Sequence, residues 1–466
     1  MLRPVNPSTG AALRTVPAGV AADADLAVAS ARRTVDGGAW SRAAPGERKA
    51  VLDRWAQLIA GDSAALDAAD AVEMGKPVRL AAFNARAAAG LVRFNAEAVD
   101  KCFGAVLPSD HPSTVVQMRM PRGVVAAITP WNFPTYNAVL KVAPALAAGN
   151  CVVLKPSELA SESAFRLAKL ALEAGLPPGA FNVVPGRGET VGRALAEHMD
   201  VDMVTFTGSS KVGKLMLQAA GASNMKAVLT ECGGKSPHIV FDDGLDLDLV
   251  AANIAATLSA NTGQICSVGS RLLVQDTIEE VLTHKIVACL QAIRPGDPLD
   301  PETTYGPLAS QAQLDRVMRY LDAADQDGAD LVHGGERILE DAGGYFVQPA
   351  VFVNVPPDSR IAREEIFGPV LAVLSFKDAD EAIRLAKDTP YGLAAYVWTS
   401  RMDVGFQVSK ALQTAITVVN GQAQGTLGAG FGYSGEPAGL SGRGVEGGVA
   451  GLESYTRRQT VWFNHG

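Results

Sequence analysis

One cysteine ends a Gly-Gln turn, Asn261-Thr262-Gly263-Gln264-Ile265-Cys266, just after an apolar helical stretch. Such a placement can present a thiol to an electrophilic carbon, although most free cysteines are small buried hydrophobes. A thiolate nucleophile needs activation, and no histidine lies near Cys266 in sequence. A second candidate is Glu231, in Leu229-Thr230-Glu231-Cys232-Gly233-Gly234-Lys235-Ser236. A carboxylate closing an apolar strand ahead of two glycines suits general-base work once desolvation raises its pKa; a solvated strand-end acid is the plain alternative. In Pro130-Trp131-Asn132-Phe133-Pro134, two prolines fix the backbone around Asn132. Its amide could donate to a developing oxyanion, or simply belong to a rigid turn.

Lys155-Pro156-Ser157-Glu158 follows an apolar run, at the strand edge where open α/β sheets bind ligands. Lys155 and Glu158 could clamp ribose hydroxyls there, or be ordinary polar loop residues. Two glycine patterns are weaker. Gly186, Gly188 and Gly192 are spaced one residue longer than the dinucleotide fingerprint, and residues 208–214 have P-loop spacing but continue into Leu215 where Ser or Thr must hold Mg²⁺. What survives is Thr207-Gly208-Ser209 capping a helix whose first N–H groups could hold a pyrophosphate. Together these features describe a nucleotide cofactor beside a thiol nucleophile.

The elements that must position them alternate. Apolar runs at 124–129, 152–154, 181–184, 203–206 and 227–230 are separated by helical patterns at 161–174, 190–198 and 209–220. Near-continuous apolar strands are what a parallel sheet buried on both faces requires. A second alternating series starts at His238 and runs to about Val419, which predicts two α/β domains joined near Gly233-Gly234. Residues 23–101 read as helical and Ala-rich. Residues 114–122 and 455–463 alternate like exposed strands and fit neither series, so a neighbouring subunit is expected to cover them.

Composition narrows the classes. The 466 residues are 48% hydrophobic and 19% charged, enough apolar content for a large core. The formal charge of −8 argues against a nucleic-acid partner. Five scattered cysteines without Cys-x-x-Cys spacing predict no disulfide framework, no metal site and a reducing, cytoplasmic setting. Residues 1–7 carry no apolar signal core. The uncharged stretch 123–140 is long enough to suggest a membrane span, but its prolines and asparagines would be unsatisfied in lipid, so it reads as strand, turn and helix.

The ordered motifs now assembled resemble the NAD(P)-dependent aldehyde dehydrogenase superfamily over nearly the whole chain. They are Asn6-Pro7-Ser8-Thr9-Gly10, 130–134, 155–158, 206–209, 231–235, Gly263-Gln264-Ile265-Cys266, Glu365-Ile366-Phe367-Gly368-Pro369 and Tyr391-Gly392-Leu393. The body looks most like bacterial aminoaldehyde dehydrogenases. The resemblance implies an α/β fold: a Rossmann-like NAD-binding domain (1–107 and 123–233), an α/β catalytic domain (234–452) and a small β oligomerisation element (108–122 and 453–466), in a homodimer or homotetramer.

It also implies roles. Cys266 matches the nucleophile, Asn132 and the Cys266 N–H the oxyanion donors, and Glu231 the base that activates water. Lys155 and Glu158 match contacts to the adenosine ribose, Ser209 to the pyrophosphate and Glu365 to the nicotinamide ribose, with Phe367 beside it. Trp131, Gly188, Thr207, Gly208 and Gly213 fall in the same cofactor site. Glu158 would repel a 2′-phosphate, favouring NAD while leaving NADP open. Substrate walls are expected near Phe133, Tyr136, Leu140, Ile265 and Ser267. The alternatives are a coenzyme A-acylating dehydrogenase, against which Glu231 argues, and an inactive binding or structural homologue.

Three departures qualify the match. The chain begins almost at the Asn-Pro motif, so a leading segment is expected to be missing. Cys232 replaces the usual Leu. The C-terminal segment reads Gly430-Phe431-Gly432-Tyr433-Ser434-Gly435-Glu436-Pro437 and then Ser441-Gly442-Arg443-Gly444-Val445-Glu446, with Val445 where Arg is usual.

Overall fold

The computed structural model describes residues 1–421 and 435–465. Its centre is a six-stranded sheet in the order Gly442–Arg443, Ala227–Glu231, Met203–Thr207, Val124–Ile128, Cys151–Lys155, Phe181–Val183. The last five run parallel, and every residue of Val124–Ile128 and Cys151–Lys155 is buried. Both faces of these strands must therefore be covered, which explains their uninterrupted apolar sequence. Helices Ala21–Gly37, Pro45–Gly61 and Ala85–Ala98 share one core with this sheet, and the buried Trp40 and Trp55 donate their ring N–H to the carbonyls of Leu146 and Leu167.

A second, seven-stranded sheet has the order Asp330–His333, Ala350–Val353, Val370–Phe376, Arg271–Gln275, Pro237–Val240, Ala394–Trp398, Ile416–Val419. It is parallel except for Asp330–His333. The two segments that fitted neither series pair with each other: Ser113–Pro121 runs antiparallel to Thr456–Asn464, from Thr456 opposite Pro121 to Asn464 opposite Ser113. A strand that the sequence pattern did not reveal, Ala105–Leu107, pairs with the other side of Ser113–Pro121. Residues 123–140 form strand, turn and helix, and no helix among the described residues is long and apolar enough to cross a membrane.

Parallel strands put all their C-terminal ends on one edge. The Asn132 turn follows Val124–Ile128, Lys155 ends its strand, Thr207-Gly208-Ser209 follows Met203–Thr207, and Glu231 closes Ala227–Glu231. The Asn132 turn is anchored from behind. The first turn of helix Pro134–Ala147 is held by Thr135, whose hydroxyl donates to Asp70 at 3.0 Å, and Asp70 pairs with Lys76 at 3.3 Å. Neither Lys76 nor Asp70 has any solvent exposure, and Asp67 approaches Lys76 at 3.4 Å. Burial, with a smaller contribution from the Asp67 charge, pushes the Asp70 carboxyl up, against the pull of Lys76 and Thr135. Replacing Lys76 by Met leaves that carboxylate without its cation, a change that costs about 3–5 kcal/mol. Denaturant unfolding of Lys76→Met should show a loss of that order, and an unchanged midpoint would refute the anchor.

Candidate active site

Helix Leu247–Ser259, capped by the Asp246 carboxylate, stops abruptly. Asn261, Thr262 and Gly263 then take φ values of 47°, 58° and 70°, a left-handed run that a β-branched residue such as Thr262 adopts only when its surroundings impose it. Those surroundings are present. The Thr262 hydroxyl donates to the Gly306 carbonyl at 2.8 Å, Gln264 Nε2 donates to the Asn261 carbonyl at 2.9 Å, and the Ala309 N–H donates to Gln264 Oε1 at 2.9 Å. Position 263 must be glycine, because a Cβ there would lie 2.5 Å from the Gly368 carbonyl. The reversal brings up Cys266, half-buried at the end of the turn. Tyr396 steadies the far side by donating to the Ser267 carbonyl at 2.8 Å.

The Asn132 turn meets this loop directly. Asn132 Nδ2 donates to the Gln264 carbonyl at 3.0 Å, and Asn261 Nδ2 donates to the Asn132 carbonyl at 2.9 Å. Asn137, one helical turn along, donates from Nδ2 to Asn132 Oδ1 at 3.2 Å. A rigid amide from one sheet and a cysteine loop from the other are thus joined in a buried place.

Glu231 is partly buried, and its Oε1 has no hydrogen-bond partner among the described residues. Burial raises its pKa well above the usual carboxylate range; the Glu446 charge adds to this and Lys141 opposes it. Lys141 and Glu446 form a buried pair at 2.5 Å, with Lys141 also donating to Thr205 Oγ1 at 3.1 Å. The Cys266 thiol is pushed up to about 12, first by burial and then by Glu231 and Glu365, while the N–H groups of Ser267 and Cys266 pull the other way.

Further candidates gather around this centre. The Gly208 N–H donates to the Glu231 carbonyl at 3.0 Å, and Thr207 Oγ1 is buried without a hydrogen-bond partner among the described residues. Ser209 caps helix Ser210–Ala222, accepting from the Val212 N–H, and a Cβ at Gly213 would lie 2.7 Å from the Cys232 sulfur. Lys155 Nζ meets Glu158 at 3.0 Å. Glu365 accepts from the Gly234 N–H at 3.0 Å, and a side chain at Gly233 would collide with its carboxylate. Phe367, at φ 62°, packs edge-on to Trp131 with ring centroids 5.4 Å apart. Gly188 is exposed and opens the helical turn Gly188–Gly192, whose Val191 and Gly192 are buried, and it shares no hydrogen bond with these residues among those described.

Of the expected substrate walls, Phe133, Tyr136 and Ile265 cluster together, joined by Leu80, Phe83 and Val268, which the sequence reading missed. The Phe83 ring lies 4.5 Å from Phe133 and 4.9 Å from Tyr136. Leu140 is partly buried and, like Tyr136, packs against the main core, and Ser267 touches the site through its backbone.

A protein-family model described as the aldehyde dehydrogenase family matches residues 2–461. The chain belongs to the aldehyde dehydrogenase family. It is 42% identical over 460 residues to the aminoacetaldehyde dehydrogenase of Pseudomonas aeruginosa, covering 98% of this chain and 91% of that one. It is 40% identical to the NADP/NAD-dependent aldehyde dehydrogenase PuuC of Escherichia coli, covering 99% and 92%. It superposes with a TM-score of 0.96 on a mutant of the P. syringae indole-3-acetaldehyde dehydrogenase AldA in complex with NAD⁺ and IAA, at 43% identity, covering 99% and 93%.

The departures of this family member can be located. The Cys232 thiol is buried against Gly213, pushed up to about 12 chiefly by burial. Gly430 to Ser434 lie outside the described residues. Downstream, Ser441 bridges two turns: its hydroxyl donates to the Gly233 carbonyl at 2.7 Å and accepts from the Gly392 N–H at 3.0 Å, while Gly442 pairs opposite Glu231. Val445 is partly buried. The sequence reading missed the charge of Lys141 and the amides of Asn137 and Asn261. Lys141 had a signal, being the first charge after an 18-residue uncharged stretch.

With its pKa near 12 the Cys266 thiol stays protonated at neutral pH in the free protein. Alkylation of Cys266 by iodoacetamide, mapped by mass spectrometry, should keep accelerating from pH 7 to 10. A plateau already reached by pH 7 would contradict the electrostatics of this site.

Proposed function

We propose that this chain oxidises an aldehyde to a carboxylic acid with NAD, through a thioester on Cys266. The observation that carries the reading is the bond from Asn132 to the Gln264 carbonyl, which sets a rigid amide donor beside the loop that ends in Cys266. The partly exposed Cys266 thiol releases its proton to solvent, and the sulfur attacks the carbonyl carbon to give a thiohemiacetal alkoxide. The remaining Asn132 N–H and the Cys266 backbone N–H donate to the oxygen as its negative charge develops. When bound, NAD supplies the hydride acceptor, and loss of hydride leaves the thioester. Glu231, with its raised pKa, takes a proton from the water that hydrolyses the thioester, returning the thiol and releasing the acid.

The residues fit the cofactor. The unpartnered Thr207 hydroxyl and the start of helix Ser210–Ala222 form a place for a pyrophosphate, Lys155 and Glu158 stand at the adjoining strand end, and Glu365 would hold the second ribose. The NAD⁺ in the P. syringae relative supports this reading, and the Glu158 carboxylate favours NAD while NADP stays open. Residues 1–107 and 123–233 serve as the cofactor unit and 234–452 as the catalytic unit in this reading. The aromatic wall of Phe83, Phe133 and Tyr136 suits an aldehyde with a cationic or apolar body, and the aminoacetaldehyde relative supports the amino-substituted class. A cytoplasmic setting accords with five free cysteines.

We further propose a homodimer or homotetramer built through the three-stranded sheet. Thr456–Asn464 is an edge strand, and Trp462 is 65% and Phe463 52% exposed, an edge that calls for cover. Trp462→Glu should lower the mass measured by light scattering; an unaltered mass would remove this strand from the interface.

Cys266→Ala should abolish NADH formation from aldehyde. Glu231→Gln should give a burst of NADH of about one equivalent per site, then a steady rate lower by about 10²-fold or more. Full activity in Cys266→Ala would overturn the mechanism, and a fast, burst-free steady state in Glu231→Gln would move the base elsewhere.

A further inference from the structure

We infer that Asn137 is a positioning residue for the catalytic amide of Asn132, an inference that rests on Asn132 serving as the oxyanion donor. A carbonyl oxygen can only accept, so the group that Asn132 turns towards Gln264, 3.0 Å away, must be its NH₂. That fixes Oδ1 on the opposite side, where Asn137 Nδ2 meets it at 3.2 Å. Gln264, Asn132 and Asn137 are all buried, at 0%, 4% and 8% exposure, so water is poorly placed to substitute for either bond. The second lone pair of the Gln264 carbonyl faces Asn261 Nδ2 at 3.4 Å. One N–H of the Asn132 amide is then left without a protein partner among the described residues, free for a substrate oxygen.

Asn137 does two things to that N–H. Donation into Oδ1 holds the amide against the rotation that would turn Oδ1 onto the Gln264 carbonyl. It also draws electron density through the amide and makes the free N–H a better donor. Position 137 is buried on helix Pro134–Ala147, nearly all of which is buried, and there an amide is costly unless it is hydrogen-bonded. Its own N–H donates to the Phe133 carbonyl at 2.8 Å, so its backbone is fixed relative to the Asn132 turn.

The test compares the full-length enzyme with Asn137→Leu and Asn137→Asp. The first removes the donor at similar volume; the second, acceptor-only when ionised, repels Oδ1. Asn132→Ala and both double variants complete the set. Single-turnover NADH formation from aldehyde is read together with aldehyde KM, NAD affinity and thermal midpoint. Asn132→Ala should slow the single turnover about 10²–10³-fold. Each Asn137 variant should slow it about 10-fold or more, with KM and NAD affinity altered by less than about 3-fold, and each double variant should be no slower than Asn132→Ala alone. Either Asn137 variant at full rate, or double variants whose losses multiply, would overturn the positioning role. If one variant does not fold, the other carries the test. If both fall in thermal midpoint and their losses multiply with Asn132→Ala, the role is packing and the inference fails. A full rate in Asn132→Ala would overturn the oxyanion reading itself.

Discussion

The backbone carbonyl of Gln264 is the point on which the proposed catalytic geometry turns. It accepts from Asn132, which the six-stranded sheet delivers, and it belongs to the loop delivered by helix Leu247–Ser259 next to the seven-stranded sheet. That carbonyl is aimed by three left-handed residues, and their geometry is held by the Gln264 side chain clamped between Asn261 and Ala309. Strain in the loop is thus offset by hydrogen bonds remote from the thiol. If the loop relaxed to ordinary backbone angles, the amide would lose its partner and the cysteine its orientation together.

Burial is the second constraint. It is the leading cause of the raised pKa at Cys266, Glu231 and Glu365 alike. Three groups that ionise reluctantly share one low-dielectric region, with the Lys141–Glu446 pair behind it. In such surroundings a fixed N–H dipole acts more strongly on a developing negative charge than it would in water, and a carboxyl with a raised pKa is a stronger base. The same burial that silences the thiol at rest therefore strengthens the groups proposed to serve the reaction.

How much of this could be read from sequence follows from how local each feature is. Cys266, Glu231, Asn132 and Lys155 were legible because strand ends and turns place chemistry at fixed positions in α/β sheets. The strands 113–121 and 456–464 were visible as segments belonging to neither series, but Ala105–Leu107 is too short to show a period. Lys141 and Glu446 are 305 positions apart, and nothing in either neighbourhood names the other. Asn137 and Asn261 were illegible for a similar reason: the value of an amide depends on what faces each end, which only the folded chain decides.

The buried Lys76–Asp70 pair behind the Asn132 turn has a consequence for temperature. Charged groups lose hydration free energy as water warms, so the penalty for keeping such a pair dry shrinks with heating, while apolar burial gains little. Asp67 and Thr135 make it a small network rather than an isolated contact. As the rest of the fold softens on warming, the root of helix Pro134–Ala147, and with it the donor amide, is the part whose attachment weakens last.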